Sequence, residues 1–256
     1  MLIDSHAHIQ GKEYAGEVGA VIARAHEGGV EKIIVVGGAG DMSSNTEAVA
    51  LAESCADVYA TVGMHPHDAK DVAADELRKI RELTSHSKVI AVGETGLDYY
   101  YNHSPHDVQR RVFIQFIHMA RETGLPIVVH ERDAANDAAE LLRSEGAANI
   151  RGVIHCFTGN YEAASAYLDL GFYLSFTGII TFKNAEPLRD VVRKVPLARM
   201  LVETDSPYLT PVPYRGKRNE PAYVRFVADM VAKVKTVSLE DVARTTTSNV
   251  HELFRF

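Results

Sequence analysis

The chain has 256 residues, of which 46% are hydrophobic and 24% charged, and its formal net charge at pH 7 is −7. This length is sufficient for a large buried core, since a chain of about 300 residues buries roughly 75% of its unfolded surface. The acidic balance excludes a protein that coats nucleic acid through bulk positive charge, although it is compatible with a local basic site. The two cysteines, Cys55 and Cys156, are too few for a disulfide framework and favour a reducing compartment.

The N-terminus and the apolar stretches bear on location and on domain organisation. The chain lacks a basic N-terminal region followed by a long apolar segment, and no run reaches the about 18 apolar residues of a membrane span. These features predict a cytoplasmic protein. Neither a low-complexity linker nor a close internal repeat divides the sequence, so one domain is expected over residues 1–256.

Short apolar runs alternate with helical patterns along the whole chain. The runs that predict strands cover residues 1–3, 32–36, 58–62, 89–92, 127–129, 152–154, 172–175 and 200–202. The patterns that predict helices cover residues 15–27, 43–53, 74–83, 106–122, 134–143, 161–170, 185–194, 222–234 and 239–254. The runs are almost continuously apolar, as expected of parallel strands buried on both faces. Eight strand–helix units in about 250 residues predict an α/β fold of the (β/α)8 TIM-barrel type. An open doubly wound sheet is the competitor, but the first run is not followed by its glycine-rich phosphate turn.

The first apolar run is followed by two histidines, His6 and His8. Side chains at positions i and i+2 of a strand leave the backbone on the same face. Because neutral imidazole is a common ligand of zinc-like ions, the pair could form half of a metal site. Alone the pair is weak evidence for a metal site, because His-x-His pairs are common and mostly inert.

Later strand ends supply further ligand types: Glu94, His130, His155 and Asp205. Barrel enzymes place their functional groups at the carboxyl ends of the strands, so these side chains are expected to converge. Four imidazoles and two carboxylates suit Zn, Mn or Ni better than an all-oxygen Mg or Ca site. Six ligands exceed the needs of one tetrahedral ion that keeps a water, so two ions are the simpler model. In that model His6, His8 and Asp205 hold one ion, His130 and His155 hold the other, and Glu94 bridges them.

Three more residues near these ends are candidates for roles in hydrolysis. Asp205 is expected to orient the attacking water or accept its proton, in addition to binding metal. His65 is expected to donate to a phosphate or leaving-group oxygen, and its alternative is an ordinary hydrogen-bonded loop histidine. Glu203 is expected to orient a ligand histidine, and its alternative is a buried residue paired with a cation. His67 is expected to face solvent, and the histidines of the helices and other loops, His103 among them, are assigned no role.

Two segments could contact a substrate. The loop after the eighth strand carries Arg215, Lys217 and Arg218 around a glycine, and these cations are candidates for binding phosphates. The alternative is a solvated loop with surface cations. Three consecutive tyrosines at residues 99–101 could stack on bases, but at least two of them are expected to pack beneath their loop.

The motifs at the strand ends resemble those of the TatD family of metal-dependent nucleases, within the wider amidohydrolase-like barrels. The matching pieces follow the family's order through nearly the whole chain and are Asp4-Ser5-His6-Ala7-His8, Gly63-Met64-His65-Pro66, Gly93-Glu94-Thr95-Gly96-Leu97-Asp98, His130, His155-Cys156-Phe157-Thr158-Gly159, Glu203-Thr204-Asp205-Ser206-Pro207-Tyr208-Leu209 and Arg215-Gly216-Lys217-Arg218-Asn219-Glu220-Pro221. The resemblance implies a barrel, a site for one or two metal ions, and hydrolysis of DNA phosphodiesters. It also implies that Glu94 stands where many amidohydrolases carry a modified bridging lysine.

Three hypotheses for function remain. The first is a metal-dependent deoxyribonuclease that acts on single DNA strands or strand ends and uses Zn, Mn, Ni or Mg. The second is a metallohydrolase of the same fold acting on an ester, lactone or amide, since fold does not fix substrate. The third is a binding protein with a closed structural metal site. The basic loop favours a substrate that carries phosphate.

Overall fold

The computed structural model describes residues 1–145 and 150–256, and in them eight parallel strands alternate with α-helices. The strands are β1 Leu2–Ala7, β2 Val30–Val36, β3 Val58–Val62, β4 Val89–Asp98, β5 Ile127–Arg132, β6 Gly152–Ile154, β7 Tyr173–Phe176 and β8 Met200–Val202. The helices are α1 Val18–Glu27, α2 Ser43–Ser54, α3 Ala74–Leu83, α4 His106–Thr123, α5 Ala135–Ser144, α6 Tyr161–Asp169, α7 Glu186–Lys194, α8 Val224–Lys235 and α9 Leu239–Phe254. The strands follow one another in sequence order in a single sheet.

The two ends of this sheet meet, so that it forms a nearly closed barrel. Ala7 pairs in parallel with Ser206, just beyond β8. The backbone N–H of Asp205 donates to His6 O at 2.9 Å, and that of His8 donates to Ser206 O at 2.7 Å. The prediction of a (β/α)8 barrel is confirmed. This seam also brings His6, His8 and Asp205 together, although they lie about two hundred positions apart in the chain.

Most elements lie close to their predicted positions. The bounds of β3, β6, β8, α3 and α9 agree with the prediction, and the other helices shift by one to three residues at an end. The main difference is that β1, β4 and β5 continue past their apolar runs into polar residues, so Glu94 lies inside β4. Gly96 permits this extension, because a Cβ at that position would lie 2.0 Å from His130 O on β5. The polar continuation therefore remains part of the barrel wall.

Helices cover the outside of the barrel with apolar faces. In α4 the buried positions Val112, Phe113, Phe116 and Ile117 recur at the spacing of one helix face. The helix stops at Gly124, whose φ of 71° is the left-handed conformation that glycine adopts without strain. Among the described residues, no helix combines the length and apolar character needed to cross a bilayer.

A separate apolar cluster fills the amino-terminal half of the barrel interior. Residues of the strands and of α9 contribute to it: Ile3, Ile34, Ile90, Ala91, Val128, Val153, Tyr173, Leu201, Val250, Leu253 and Phe254. Because side chains alternate along a strand, the second residue after an inward-facing one also faces inward. Val128 is followed in this way by His130, and Val153 by His155. The same alternation that builds the core therefore places the polar groups above it.

Candidate metal centre

The first group of candidate ligands lies at the seam of the barrel. His6 Nε2 and His8 Nε2 are 3.2 Å apart. Asp205 Oδ1 lies 3.5 Å from the Nε2 atom of His8 and 3.8 Å from that of His6. Ligand atoms of these three residues all fall within 4.8 Å of one another. The structure thus brings together the three residues that the two-ion model assigns to one ion.

The second group lies on the neighbouring strands and shares Glu94 with the first. Glu94 Oε1 is 2.9 Å from His130 Nδ1 and 2.8 Å from His155 Nε2. Its other oxygen, Oε2, is 3.4 Å from His6 Nε2 and 3.9 Å from His8 Nε2. Each oxygen of this buried carboxylate therefore faces a different pair of imidazoles, which is the geometry that a bridging ligand requires.

Hydrogen bonds on the far side of the rings orient two of the histidines. His8 Nδ1 lies 3.1 Å from Val36 O, and His155 Nδ1 lies 3.2 Å from Glu203 Oε1. Both partners are acceptors, so in the neutral form of each ring the nitrogen facing them carries the proton and Nε2 is left with its lone pair directed at the centre. Burial lowers the pKa of His155, but Glu94 and Glu203 outweigh it and hold that pKa well above its usual value.

Glu203 lies within hydrogen-bond distance of His155, which its predicted role of orienting a ligand histidine requires. Its side chain is buried, and Oε1 also accepts the backbone N–H of Cys156 at 2.7 Å. Ser5 Oγ donates to Oε2 at 3.4 Å. The carboxylate has no Lys or Arg partner among the described residues, so the alternative of pairing with a cation finds no support.

Asp98 supports the third histidine, and the sequence analysis gave it no role. Its Oδ2 accepts from His130 Nε2 at 3.0 Å and from His67 Nε2 at 2.8 Å. Hydrogen bonding to the His130 side chain and to backbone and side-chain donors holds the pKa of Asp98 well below its usual value, although burial raises it. The expectation that His67 faces solvent is wrong, because its ring is half-buried against Asp98. The signal was present, since Asp98 lies four residues after Glu94 and therefore on the same strand face.

His65 lies closer to the centre than expected. Its Nε2 is 3.5 Å from Glu94 Oε1 and 3.3 Å from His130 Nδ1. Its Nδ1 accepts the backbone N–H of His67 at 3.2 Å, so the neutral ring carries its proton on Nε2. Burial and the charge of His130 lower the pKa of His65 well below its usual value. The ring is therefore a neutral donor pointing at the centre, and its ligand atom also lies within 4.8 Å of those of Glu94 and His130.

The charge state of the carboxylates fits a cation. Burial raises the pKa of Glu94, but His155 and His65 outweigh it and hold that pKa well below its usual value. Burial raises the pKa of Asp205, but in the metal-free protein the hydrogen bond from the protonated form of His8 outweighs it and holds that pKa below its usual value. Ionised carboxylates and inward lone pairs of three imidazoles form a donor set suited to divalent ions of the zinc type. The residues present therefore fit the metal that the site implies.

A cavity of about 630 Å³ opens over this centre. Its wall includes candidate ligands and several residues beyond them, among them Tyr101, His103, Glu131, Arg132, Cys156, Thr158, Ile179 and Tyr208. Tyr100 and Tyr101 are 56% and 51% exposed, so the expectation that at least two of the three tyrosines pack beneath the loop is wrong. Tyr99 does pack, with its hydroxyl donating to Asp137 at 2.8 Å.

The three cations of the loop after β8 are not in the wall of this cavity. Arg218 pairs with Glu17 at 2.8 Å and lies 4.5 Å from the centre of the Tyr14 ring, so it ties the loop to the N-terminal segment. Arg215 lies 3.9 Å over the ring of Phe182. Lys217 lies 5.6 Å from the ring of Tyr214. Among the described residues, the Lys or Arg side chain that lines the cavity is Arg132.

A (β/α)8 barrel that gathers imidazole and carboxylate ligands at the carboxyl ends of its strands defines a metal-dependent hydrolase. The particular family follows from comparison with known proteins. Residues 3–255 match the family model described as TatD related DNase. The chain belongs to the TatD family of metal-dependent hydrolases, which confirms the resemblance carried by its motifs.

Individual relatives cover the same full length. YabD of Bacillus subtilis, described as an uncharacterised metal-dependent hydrolase, is 46% identical over 255 residues, which are 100% of this chain and 99% of the relative. The 3'-5' ssDNA/RNA exonuclease TatD of Edwardsiella piscicida is 32% identical and covers 99% of both chains. The crystal structure of YJJV, a TatD homolog from Escherichia coli K12, superposes with a TM-score of 0.94 at 28% identity, covering 100% of this chain and 98% of that one.

Proposed function

We propose that this chain is a metal-dependent deoxyribonuclease that hydrolyses phosphodiester bonds at the ends of single DNA strands. The observation that carries the proposal is Glu94, whose two oxygens face two separate pairs of imidazoles. A dinuclear site of this kind suits the in-line displacement at phosphorus. The exonuclease name of the Edwardsiella relative supports a nucleic-acid substrate. We further infer that residues 1–256 act as one domain, which the seam between the strands at the two ends of the sheet supports. We infer a cytoplasmic location from the small number of cysteines.

Six residues would hold two divalent ions: His6, His8 and Asp205 the first, His130 and His155 the second, with Glu94 between them. When bound, the ions supply Lewis acidity that lowers the pKa of a water molecule and neutralises charge on the phosphate. Zn, Mn, Ni and Mg are the candidates for testing. Glu203 and Asp98 keep the lone pairs of the second group directed inward through the hydrogen bonds to their rings.

Asp205 and His65 would carry the proton movements. Asp205 is buried at the seam with its pKa lowered, so it is ionised and able to accept a proton from the attacking water. His65 points its Nε2–H at the centre, where it can donate to a phosphate oxygen or to the leaving oxygen. Arg215 and Lys217 stay candidates only for phosphates outside the cavity, because they are exposed and do not line it.

The proposal is tested with end-labelled single-stranded oligonucleotides and with each candidate ion added to metal-depleted protein. We expect stepwise shortening from one end, loss of cleavage in EDTA, and loss of cleavage in His130→Ala. Nuclease activity that survives EDTA or His130→Ala would belong to a contaminant. Hydrolysis of small esters or lactones with no oligonucleotide cleavage would favour the second hypothesis, and metal binding without any hydrolysis would favour the third.

A further inference from the structure

We propose that Tyr101, His103 and Arg132 form the subsite that binds the nucleotide next to the scissile phosphodiester. We call these three residues the aromatic wall. The rings of Tyr101 and His103 would stack on the base, and the guanidinium of Arg132 would contact a neighbouring phosphate. The inference rests on the proposed nuclease function and adds to it a binding site for the base. It predicts a preference for unpaired ends, because a base within a duplex has no free face for a protein ring.

The two rings of the wall already form a platform. Tyr101 and His103 lie nearly parallel, at an interplanar angle of 8°, with ring centres 5.7 Å apart. Tyr101 is 51% exposed although it lines the cavity, so its ring is available to another flat group. Aromatic side chains at the edge of a basic or metal-bearing groove are the usual partners of unpaired bases. The platform therefore has the shape and exposure that a base requires.

One carboxylate connects the wall to the metal centre. Asp98 Oδ1 accepts the backbone N–H of Tyr101 at 2.9 Å, while Oδ2 of the same group accepts from His130. His67, which also bonds Asp98, contacts the rings of both Tyr101 and His103, with centres 5.4 and 4.6 Å away. The distance between the platform and the second group of ligands is thus set by short, direct contacts. A phosphodiester at the centre would have its neighbouring nucleotide at a fixed place.

Arg132 gives the wall its charge. It lies at the end of β5, two residues after His130, with its guanidinium 4.4 Å from the ring centre of Tyr100 and 5.2 Å from that of Tyr101. Among the described residues it has no carboxylate within ion-pair distance, in contrast with Arg218. In the described part of the chain, no other Lys or Arg side chain lines the cavity. An unpaired guanidinium next to a stacking surface favours an anionic ligand that carries a ring, and a nucleotide has both.

A second exposed tyrosine flanks the other group of ligands. Tyr208 is 58% exposed, lines the cavity and lies edge-to-face against His8, with ring centres 6.5 Å apart. Aromatic rings therefore adjoin both histidine groups, one beside His8 and one beside the His67–Asp98–His130 chain. A phosphate between the two groups has one ester substituent on each side. The wall would take the substituent on the side of His130.

The experiment compares Tyr101→Ala with Tyr161→Ala in the full-length, metal-loaded protein. Tyr161, the first residue of α6, is the control, because it is an exposed tyrosine that does not line the cavity and whose ring contacts Lys194 instead of Arg132. Two substrates are used: a single-stranded oligonucleotide and the same oligonucleotide with an abasic residue at its end. We expect Tyr101→Ala to raise the KM for the normal substrate by roughly 5- to 150-fold, the range for loss of one base–aromatic stack. Tyr161→Ala should leave KM unchanged, and Tyr101→Phe should retain the wild-type KM.

The abasic substrate separates stacking from a general loss of activity. For the wild type, removal of the terminal base should raise KM about as much as removal of the Tyr101 ring does. For Tyr101→Ala, removal of the base should raise KM no further. Arg132→Ala should lower the slope of log KM against log salt by about one phosphate contact.

Two results would overturn the aromatic wall while leaving the nuclease intact. The first is an equal KM for Tyr101→Ala and Tyr161→Ala, and the second is wild-type cleavage of the abasic end as efficient as that of the normal end. Absence of cleavage by the wild-type protein with every ion tested would instead remove the nuclease proposal, and the wall with it.

Discussion

In the proposed two-ion site, replacing Glu203 by glutamine should weaken binding of the ion assigned to His130 and His155 and leave binding of the other ion unchanged. Glu203 is 1% exposed, and its Oε1 accepts both from His155 Nδ1 at 3.2 Å and from the backbone of Cys156 at 2.7 Å. A glutamine oxygen in the same place keeps both hydrogen bonds, and its NH2 group meets Ser5 Oγ, which can accept. The substitution therefore removes the charge and preserves the shape.

The size of the effect follows from what that charge does. The carboxylate raises the basicity of His155, and removal of such a partner costs about 10- to 100-fold in metal affinity, or roughly 1.4–2.7 kcal/mol. His8 donates to Val36 O instead of a carboxylate, so the ion held by His6, His8 and Asp205 should change little. Glu203→Ala would in addition leave two buried N–H groups without acceptors, at about 1–3 kcal/mol of folding stability each.

The assay is competition of the protein with a chelating dye for each ion, followed by thermal unfolding of the metal-free variants. Asp98→Asn is the matched control. Asp98 hydrogen-bonds His130, so this variant should weaken binding of the same ion. Equal weakening of both ions in Glu203→Gln, or unchanged affinity for both, would refute the assignment of His155 to a separate ion. A large loss of folding stability in Glu203→Gln would refute the reasoning that glutamine preserves the hydrogen bonds.

Four further outcomes are expected. Glu94→Ala should lose both ions, because it removes the ligand that they share. If elemental analysis found as much metal in this variant as in the wild type, Glu94 would not bridge the ions. His65→Ala should keep both ions and lower kcat by about 10²- to 10⁴-fold, as expected for a proton donor; loss of metal would make it a ligand. Metal binding at pH 7 should release protons, because the pKa of His155 in the metal-free protein is raised and protonated imidazole must lose its proton to bind. Apparent affinity should therefore rise with pH through the raised pKa and then level off, which calorimetry in buffers of different ionisation enthalpy measures. Arg218→Ala should lower the free energy of unfolding by about 1 kcal/mol through loss of its contacts with Glu17 and Tyr14, and leave KM unchanged.

The barrel could be predicted because its signals are local. Each strand is an apolar run, each helix has its own amphipathic pattern, and their alternation admits few topologies. The ends of β1, β4 and β5 could not be predicted in this way. Polar residues at these positions are typical of a solvated loop, but here they continue the strands and line the site. The barrel environment overrides the local preference of Glu94 and His130.

By itself, the sequence determined the type of fold and the ligand types at the carboxyl ends of the strands, since both follow from residue order and from the two-residue period of a strand. Tertiary structure alone decided which atoms face one another: the two oxygens of Glu94 towards different imidazoles, and Asp98 against both His67 and His130. Tertiary structure also decided which cation lines the cavity. Arg132 at the end of β5 does so, whereas Arg218 of the basic loop pairs with Glu17 in the N-terminal segment. Such pairings depend on side-chain direction and on neighbours far apart in the chain, and the linear order of residues carries neither.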